Sequence, residues 1–352
     1  MSLGRPEILS KTSNHTKELT VETHPLDRRI DLISLPTPLQ ELKNISLEMN
    51  GVRLFMKRDD LTGLGLGGNK SRKLEYLMRE ALDLGCDTVI TEGAPQSNHC
   101  RQTAAAAARL NLDCHLVLGG ESPAVPNGNM LIDELLGATL HLTEKSERGR
   151  LGDELQSRLE SEGRKVYRIP VGGSNATGAL GYVRAAEELR LQMKEAGIFS
   201  GRLVIGSSSG GTQAGLEFGI RHYRIPLKVS GMRIDKESRQ GSLYPQEIRK
   251  ICEALNERFG SQHYFDEEEF GISYRYNYEE YGSLGRLEMD AIRLLARREG
   301  IVLDPVYTAR AFGGLLKDVA KGHYRKGETV IFLHSGGVPA LFAYADRFFA
   351  DR

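Results

Sequence analysis

From Lys73 to Phe349 the chain alternates between short apolar runs and amphipathic stretches roughly ten residues long, and this alternation leaves few folds open. Strands separated by such helices form βαβ units, whose parallel sheet must be covered by helices on both faces. A first series reads as helix to Leu84, strand Thr88 to Thr91, helix Gln102 to Leu110, strand Cys114 to Leu118, helix Met130 to Leu136, strand Thr139 to Leu142, helix Leu151 to Leu159 and strand Val166 to Pro170. After the turn Gly172 to Gly181 a second series supplies strands Leu203 to Ile205, Leu227 to Met232, Ile301 to Leu303 and Thr329 to Leu333. Its helices run to about Lys194 and over Thr212 to Ile220, Glu247 to Phe259, Leu287 to Arg298, Ala311 to Ala320 and Val338 to Phe349. With a short helix Leu42 to Met49 and a strand Val52 to Met56 ahead of them, the predicted fold is α/β with two open, twisted parallel-sheet domains. The large domain takes 29–71 and 171–352, the small one, 72–170, is inserted into it, and 1–28 is a polar extension.

Charge and cysteine usage narrow the partners. Lysine plus arginine and aspartate plus glutamate both number 47, a net charge of zero that gives no footing for nucleic acid or an anionic membrane surface. Cys86, Cys100, Cys114 and Cys252 are far apart, form no CxxC pair and lie mostly in apolar runs, as expected of buried, reduced thiols in a cytoplasmic protein. No apolar run is long enough to span a bilayer, and the N-terminus lacks the basic-then-apolar order of a secretory signal. A small molecule is the expected partner.

In an open parallel sheet the ligand sits beyond the carboxyl ends of the strands. The first candidate loop there is LGLGGNKSRKLEYL, Leu64 to Leu77, where glycines deliver Lys70 to a helix start. A helix N-terminus disfavours an ammonium and so favours the free amine that a Schiff base needs. The competing reading places Lys70, Arg72, Lys73 and Arg79 on a solvated helix face, opposite Leu74, Leu77, Met78, Ala81 and Leu82. In EGAPQSNHCRQTAAAAA, Ser97 or Asn98 reads as a helix cap, and the same free amides would hold a carboxylate. RLVIGSSSGGTQAG aims hydroxyls, amides and a helix dipole one way, an anion cradle suited to phosphate. Thr212 stands where a nucleotide triphosphatase loop needs lysine. LDPVYTARAF and HSGGVPALFAY repeat the pattern, with Tyr307 readable as core or as a ring stacked on a cofactor. His99 and His334 have no ligand spacing with cysteines or carboxylates, so no metal site is expected.

Gly63, Gly65 and Gly68 match GxGxxG, with Asp83 or Asp87 downstream, which is the basis for an alternative nicotinamide-dependent oxidoreductase. That motif should follow its strand directly, and here RDDLT intervenes. One phosphate cradle with a remote activated lysine points instead to pyridoxal 5'-phosphate.

The motifs GGNKSRKLEYL, QSNHCRQTAA, PVGGSNATGALGY, SSSGGTQAGL, LDPVYT and HSGGVPALFAY, in this order and spacing, resemble the fold type II pyridoxal-phosphate enzymes (tryptophan synthase β-like) that include 1-aminocyclopropane-1-carboxylate (ACC) deaminase and D-cysteine desulfhydrase. The resemblance implies that Lys70 forms the internal aldimine, that Asn98 bonds the cofactor's phenolic oxygen and that Tyr307 stacks by the ring. It places the phosphate on Ser208, Ser209, Gly210, Gly211 and Thr212 with Lys73, and the substrate carboxylate on Ser97, Asn98 and His99. Tyr281 matches a proton-shuttling tyrosine, and a homodimer is implied. Thr308 and Ser335 depart from the ACC deaminase pattern, which has glutamate and leucine there. A carboxylate at the ring nitrogen supports a deep electron sink and a neutral hydroxyl a shallower one. The expected reaction is therefore α,β-elimination of D-cysteine to pyruvate, ammonia and hydrogen sulfide, with ACC deaminase and L-cysteate sulfo-lyase as the alternatives.

Overall fold

The apolar runs pair into two sheets. In the computed structural model, which describes residues 24–348 apart from 122, 237–241, 243 and 278–279, the strands are β1 (Leu39–Glu41), β2 (Arg53–Lys57), β3 (Thr88–Gly93), β4 (Asp113–Gly119), β5 (Thr139–Thr143), β6 (Val166–Arg168), β7 (Gly201–Ser207), β8 (Leu227–Arg233), β9 (Ile272–Ser273) and β10 (Thr329–Leu333). The larger sheet has the order β1-β2-β10-β7-β8-β9 and the smaller β5-β4-β3-β6. All neighbours run parallel except β1 and β2. The helices are α1 (Lys43–Ser46), α2 (Lys70–Asp83), α3 (Asn98–Leu110), α4 (Gly128–Leu135), α5 (Arg148–Ser161), α6 (Ala176–Glu195), α7 (Gly211–His222), α8 (Tyr244–Phe259), α9 (Arg286–Glu299) and α10 (Thr308–Ala320).

Side chains alternate across a strand, so a strand covered on both faces must be apolar throughout. In the larger sheet Leu54, Met56, Val204, Val330 and Phe332 face one core with α9 and α10. Phe55, Leu203, Ile205, Ile331 and Leu333 face the other, with α6 and α7. Leu26 is already buried, and its carbonyl accepts from the Tyr76 hydroxyl at 3.2 Å. Residues 1–23 of the expected extension, and Phe349 at the end of the expected last helix, lie outside the described residues.

Three local expectations are corrected. Ile301 to Leu303 forms no strand: Ile301 and Leu303 pack into the core, but the Val302 carbonyl is taken by the His334 side chain at 3.0 Å instead of by a neighbouring strand. The segment Val338–Phe348 winds as a 3-10 helix, with Pro339, which has no amide to donate, in its first turn. Helix α3 starts at Asn98 rather than Gln102, which brings Asn98 and His99 into its first turn.

Candidate active site

The first turn of α2 is not a solvated face. Lys70, Arg72 and Lys73 are buried together with Leu74, Leu77, Met78 and Ala81, while Arg79 and Leu82 are exposed. Lys70 is the first residue of α2, and its pKa is pushed down to about 8. The cause is loss of water around the ammonium on burial. Its Nζ donates no hydrogen bond to any described residue and faces a cleft of about 650 Å³.

The loops beyond the strand ends meet around this amine. The cleft is lined by Lys70, Ser97, His99, Ser208, Tyr281 and Tyr307, and a smaller inner pocket shares Lys70, Ser208, Ser209 and Tyr307 with it. The inner pocket adds Asn69, Asn98, Gly210, Thr212 and Ser335. Ser97 both caps α3, accepting from the Cys100 amide at 3.2 Å, and lines the cleft. The Asn98 and His99 amides behind it donate to no described residue, as an anion site at a helix start requires. His99 Nε2 lies 2.9 Å from Thr91 Oγ1, whose proton goes to the Ile169 carbonyl, so Nε2 must be the donor. Burial, with the charges of Lys70 and Lys73, keeps the imidazole neutral far below the usual histidine range. The Tyr281 and Tyr307 hydroxyls are 2.8 Å apart, their rings edge-on, and burial above all holds both phenols protonated.

The expected phosphate cradle lies at the start of α7. The amides of Ser208, Ser209 and Gly210 donate to no described residue. Ser209 Oγ meets Ser174 Oγ at 2.8 Å, Ser174 accepts from the Gly211 amide at 3.2 Å, and Asn69 Nδ2 donates to Thr212 Oγ1 at 3.1 Å. Lys73 Nζ donates to the Gly172 carbonyl at 3.0 Å and stands 3.4 Å from Ser174 Oγ. Burial, then the nearby Lys70 charge, depresses its pKa strongly, so an anion placed here would be doubly favoured. A Cβ on Gly172 would lie 2.3 Å from Ser209 Oγ and 3.4 Å from Lys70 Nζ, so a side chain there would close the passage between cradle and amine. These groups fit a cofactor that carries an aldehyde for Lys70 and one phosphate for the α7 cradle.

Two expected roles look different in place. Thr308 is fully buried and does not line the inner pocket; its hydroxyl donates to Asp304 at 2.6 Å and accepts from the Asp304 amide at 2.8 Å. In this arrangement that proton is committed to Asp304. Two glycines of the GxGxxG match are filled by their own chain: a Cβ on Gly65 would lie 2.5 Å from Ala105 Cβ, one on Gly68 would meet the Gln102 amide at 2.4 Å, and the Gly336 backbone also packs on Gly68. No pyrophosphate fits there. Asn69, Gly172, Ser174 and Asp304 were not assigned roles from sequence. For Ser174, the glycine pair before it in PVGGSNATG was the available signal.

The Gly68 to Gly336 contact is itself testable. Gly336 has φ +85°, and a Cβ there would lie 2.6 Å from Gly68 Cα. Gly336→Ala is expected to cost about 1–3 kcal/mol in backbone strain and contact, and to weaken cofactor retention by shifting the turn before Lys70. Thermal unfolding and cofactor content after dialysis check this; an unshifted midpoint contradicts it.

An amine of depressed pKa over a one-phosphate cradle, in a cleft between two parallel sheets, defines a pyridoxal-phosphate enzyme of fold type II. The profile of the "Pyridoxal-phosphate dependent enzyme" family matches residues 30–336. A Pyrococcus furiosus protein provisionally named a 1-aminocyclopropane-1-carboxylate deaminase is 39% identical over 322 residues, covering 91% of this chain and 94% of that one. A Serratia proteamaculans D-cysteine desulfhydrase is 38% identical over 324 residues, covering 90% and 96%. The crystal structure of an ACC deaminase homologue superposes with a TM-score of 0.83 at 38% identity, covering 92% of this chain and 95% of that one. The chain belongs to the ACC deaminase/D-cysteine desulfhydrase family of pyridoxal-phosphate-dependent enzymes.

Proposed function

We propose that the protein is a carbon–sulfur lyase that eliminates the β-substituent of D-cysteine, or of a closely related amino acid, to give pyruvate, ammonia and hydrogen sulfide. One observation carries this reading: the inner pocket is lined by hydroxyls, amides and Lys70, with no carboxylate among its lining residues. When bound, pyridoxal phosphate supplies an electron sink for charge developing at the substrate α-carbon. A carboxylate at the ring nitrogen would deepen that sink. Here the Asp304 carboxylate is turned onto the amides of Val306, Tyr307 and Thr308 and onto the Thr308 hydroxyl. A shallower sink suits departure of a stable thiolate after α-proton loss better than opening of a cyclopropane that has no α-hydrogen.

The side chains divide the work accordingly. Ser97 and the Asn98 and His99 amides receive the substrate carboxylate and fix its orientation. Lys70 Nζ, whose pKa burial brings down to about 8, takes the α-proton. Tyr281 and Tyr307, kept protonated by burial, are better placed to give a proton to the departing sulfur than to act as the base.

The test is a paired assay on one cofactor-loaded preparation. D-cysteine is expected to yield sulfide and pyruvate in equal amounts, and ACC no 2-oxobutanoate. Release of 2-oxobutanoate would assign the deaminase instead and show that a pocket without a carboxylate suffices for ring opening. Sulfite from L-cysteate, without sulfide from D-cysteine, would move the leaving group to sulfonate.

A further inference from the structure

The amide of Asn98 can offer the inner pocket either its NH2 or its carbonyl, with opposite electrostatic effects on any oxygen placed there. Heavy-atom positions alone do not settle such a choice, but the partners behind the residue do. Asn129, the second residue of α4, stands with its amide between three groups. Its Oδ1 is 2.7 Å from Arg101 Nε, and its Nδ2 is 2.8 Å from the Gln96 carbonyl and 2.9 Å from Asn98 Oδ1. Arginine has donors and no acceptor, so Oδ1 must face Arg101; a backbone carbonyl only accepts, so Nδ2 must face Gln96. The two constraints are independent and fix one orientation.

Asn129 therefore meets Asn98 with an N–H, and Asn98 must answer with its carbonyl. Its Nδ2 is left as the group free to serve the inner pocket, which Asn98 lines beside Lys70 and Tyr307. Arg101 cannot swing away to release the arrangement: it is fully buried, and its Nη2 donates to the Gly67 carbonyl at 3.1 Å. Asn129 is equally buried, and its backbone amide is held by Gln96 Oε1 at 2.8 Å.

We propose that Asn129, itself oriented by Arg101 and Gln96, is a positioning residue that fixes Asn98 as a hydrogen-bond donor to the phenolic oxygen of the bound cofactor. This rests on the pyridoxal-phosphate site described above. A donor to that oxygen stabilises its negative charge, which favours the deprotonated chromophore and lowers the pH midpoint of its visible absorption. Reversing the Asn98 amide raises the midpoint.

The experiment is a pH titration of visible absorbance on cofactor-loaded wild type, Asn98→Ala, Asn129→Asp, Asn129→Ala and the double variant Asn98→Ala/Asn129→Ala. Asn129→Asp keeps the Arg101 contact but replaces the donor facing Asn98 with an acceptor, so Asn98 must turn its NH2 away from the pocket. Asn98→Ala and Asn129→Asp are each expected to raise the midpoint by about one pH unit or more, and Asn129→Ala by less. In the Asn98→Ala background Asn129→Ala is expected to add nothing, because its effect runs through Asn98. Asn129→Ala places no new charge in the interior and tests the same relay if Asn129→Asp folds poorly. A wild-type midpoint in the Asn129 variants, an equal shift in the Asn98→Ala background, or an unmoved midpoint in Asn98→Ala overturns the proposal. A wild-type protein that shows no cofactor band on loading overturns the site reading itself, which is a separate failure.

Discussion

Lys70→Ala is expected to remove both the covalent attachment of the cofactor and turnover, while leaving the fold in place. The two halves have different causes. Lys70 Nζ is the amine that lines both the cleft and the inner pocket, and burial brings its pKa to about 8, so a substantial fraction is free amine in mildly alkaline solution. On the proposed mechanism, removing it takes away the attachment point and the general base together; loss of the base alone is worth about 10²–10⁴-fold in rate. Stability should hold because the amine donates no hydrogen bond to a described residue, so its removal strands no buried partner. The variant is to be loaded, dialysed and scanned for visible absorbance, then assayed for sulfide. A retained band after dialysis, or turnover within about tenfold of wild type, would remove Lys70 from the mechanism.

How far this site could be read in the sequence depended on the distance over which its causes act. Lys70, the Ser97 to His99 turn, the Ser208 to Thr212 cradle and Tyr307 all lie where a strand or glycine turn hands over to a helix, and that position is written locally in glycines, small hydroxyls and the apolar period that follows. The parallel sheets were legible for the same reason. Ile301 to Leu303 was misleading because a buried apolar run looks alike whether it pairs or only packs. For the pKa of Lys70 the sequence offered a helix start, visible in a few residues, but not burial, which is a property of the whole cleft and pushes it the same way. Asn129 sits in an unremarkable GNM stretch, and its role exists only through Arg101, Gln96 and Asn98 on other segments. Lys57 to Asp60 is a charged run directly after the predicted strand Val52 to Met56. Lys57 and Asp59 are in fact buried, because Glu188 and Arg72 answer them from helices whose sequence distance hides the match.

That buried cluster carries the largest expected effect on stability. Arg72, two residues beyond Lys70, is 1% exposed and its guanidinium is fully used: Nε and Nη2 reach the two Asp59 oxygens at 3.0 and 2.9 Å, and Nη1 and Nη2 reach the two Glu188 oxygens at 3.0 Å each. Lys57 also pairs with Glu188, and the Tyr182 hydroxyl donates to Asp59 at 2.6 Å. Two cations thus answer two carboxylates in the interior. Arg72→Met keeps much of the volume but leaves a buried negative charge without its partner, at an expected cost of about 3–5 kcal/mol. Its pH dependence follows from Asp59. Burial by itself would raise the Asp59 pKa, and the Arg72 charge and hydrogen bonds outweigh it, so the folded value lies below the ordinary one. In the wild type that stability is present above the unfolded carboxyl pKa and lost as pH falls through the folded value. In Arg72→Met burial wins and the folded pKa rises above the unfolded one, so the sign reverses, and the variant recovers stability as pH falls and Asp59 takes up a proton. The gap between the urea midpoints of variant and wild type is therefore expected to be wide at about pH 7.5 and clearly narrower at about pH 4.5. A gap that is the same at both values would mean Asp59 does not depend on Arg72 for its charge, and a gap below about 1 kcal/mol would mean the cluster does not anchor the first turn of α2.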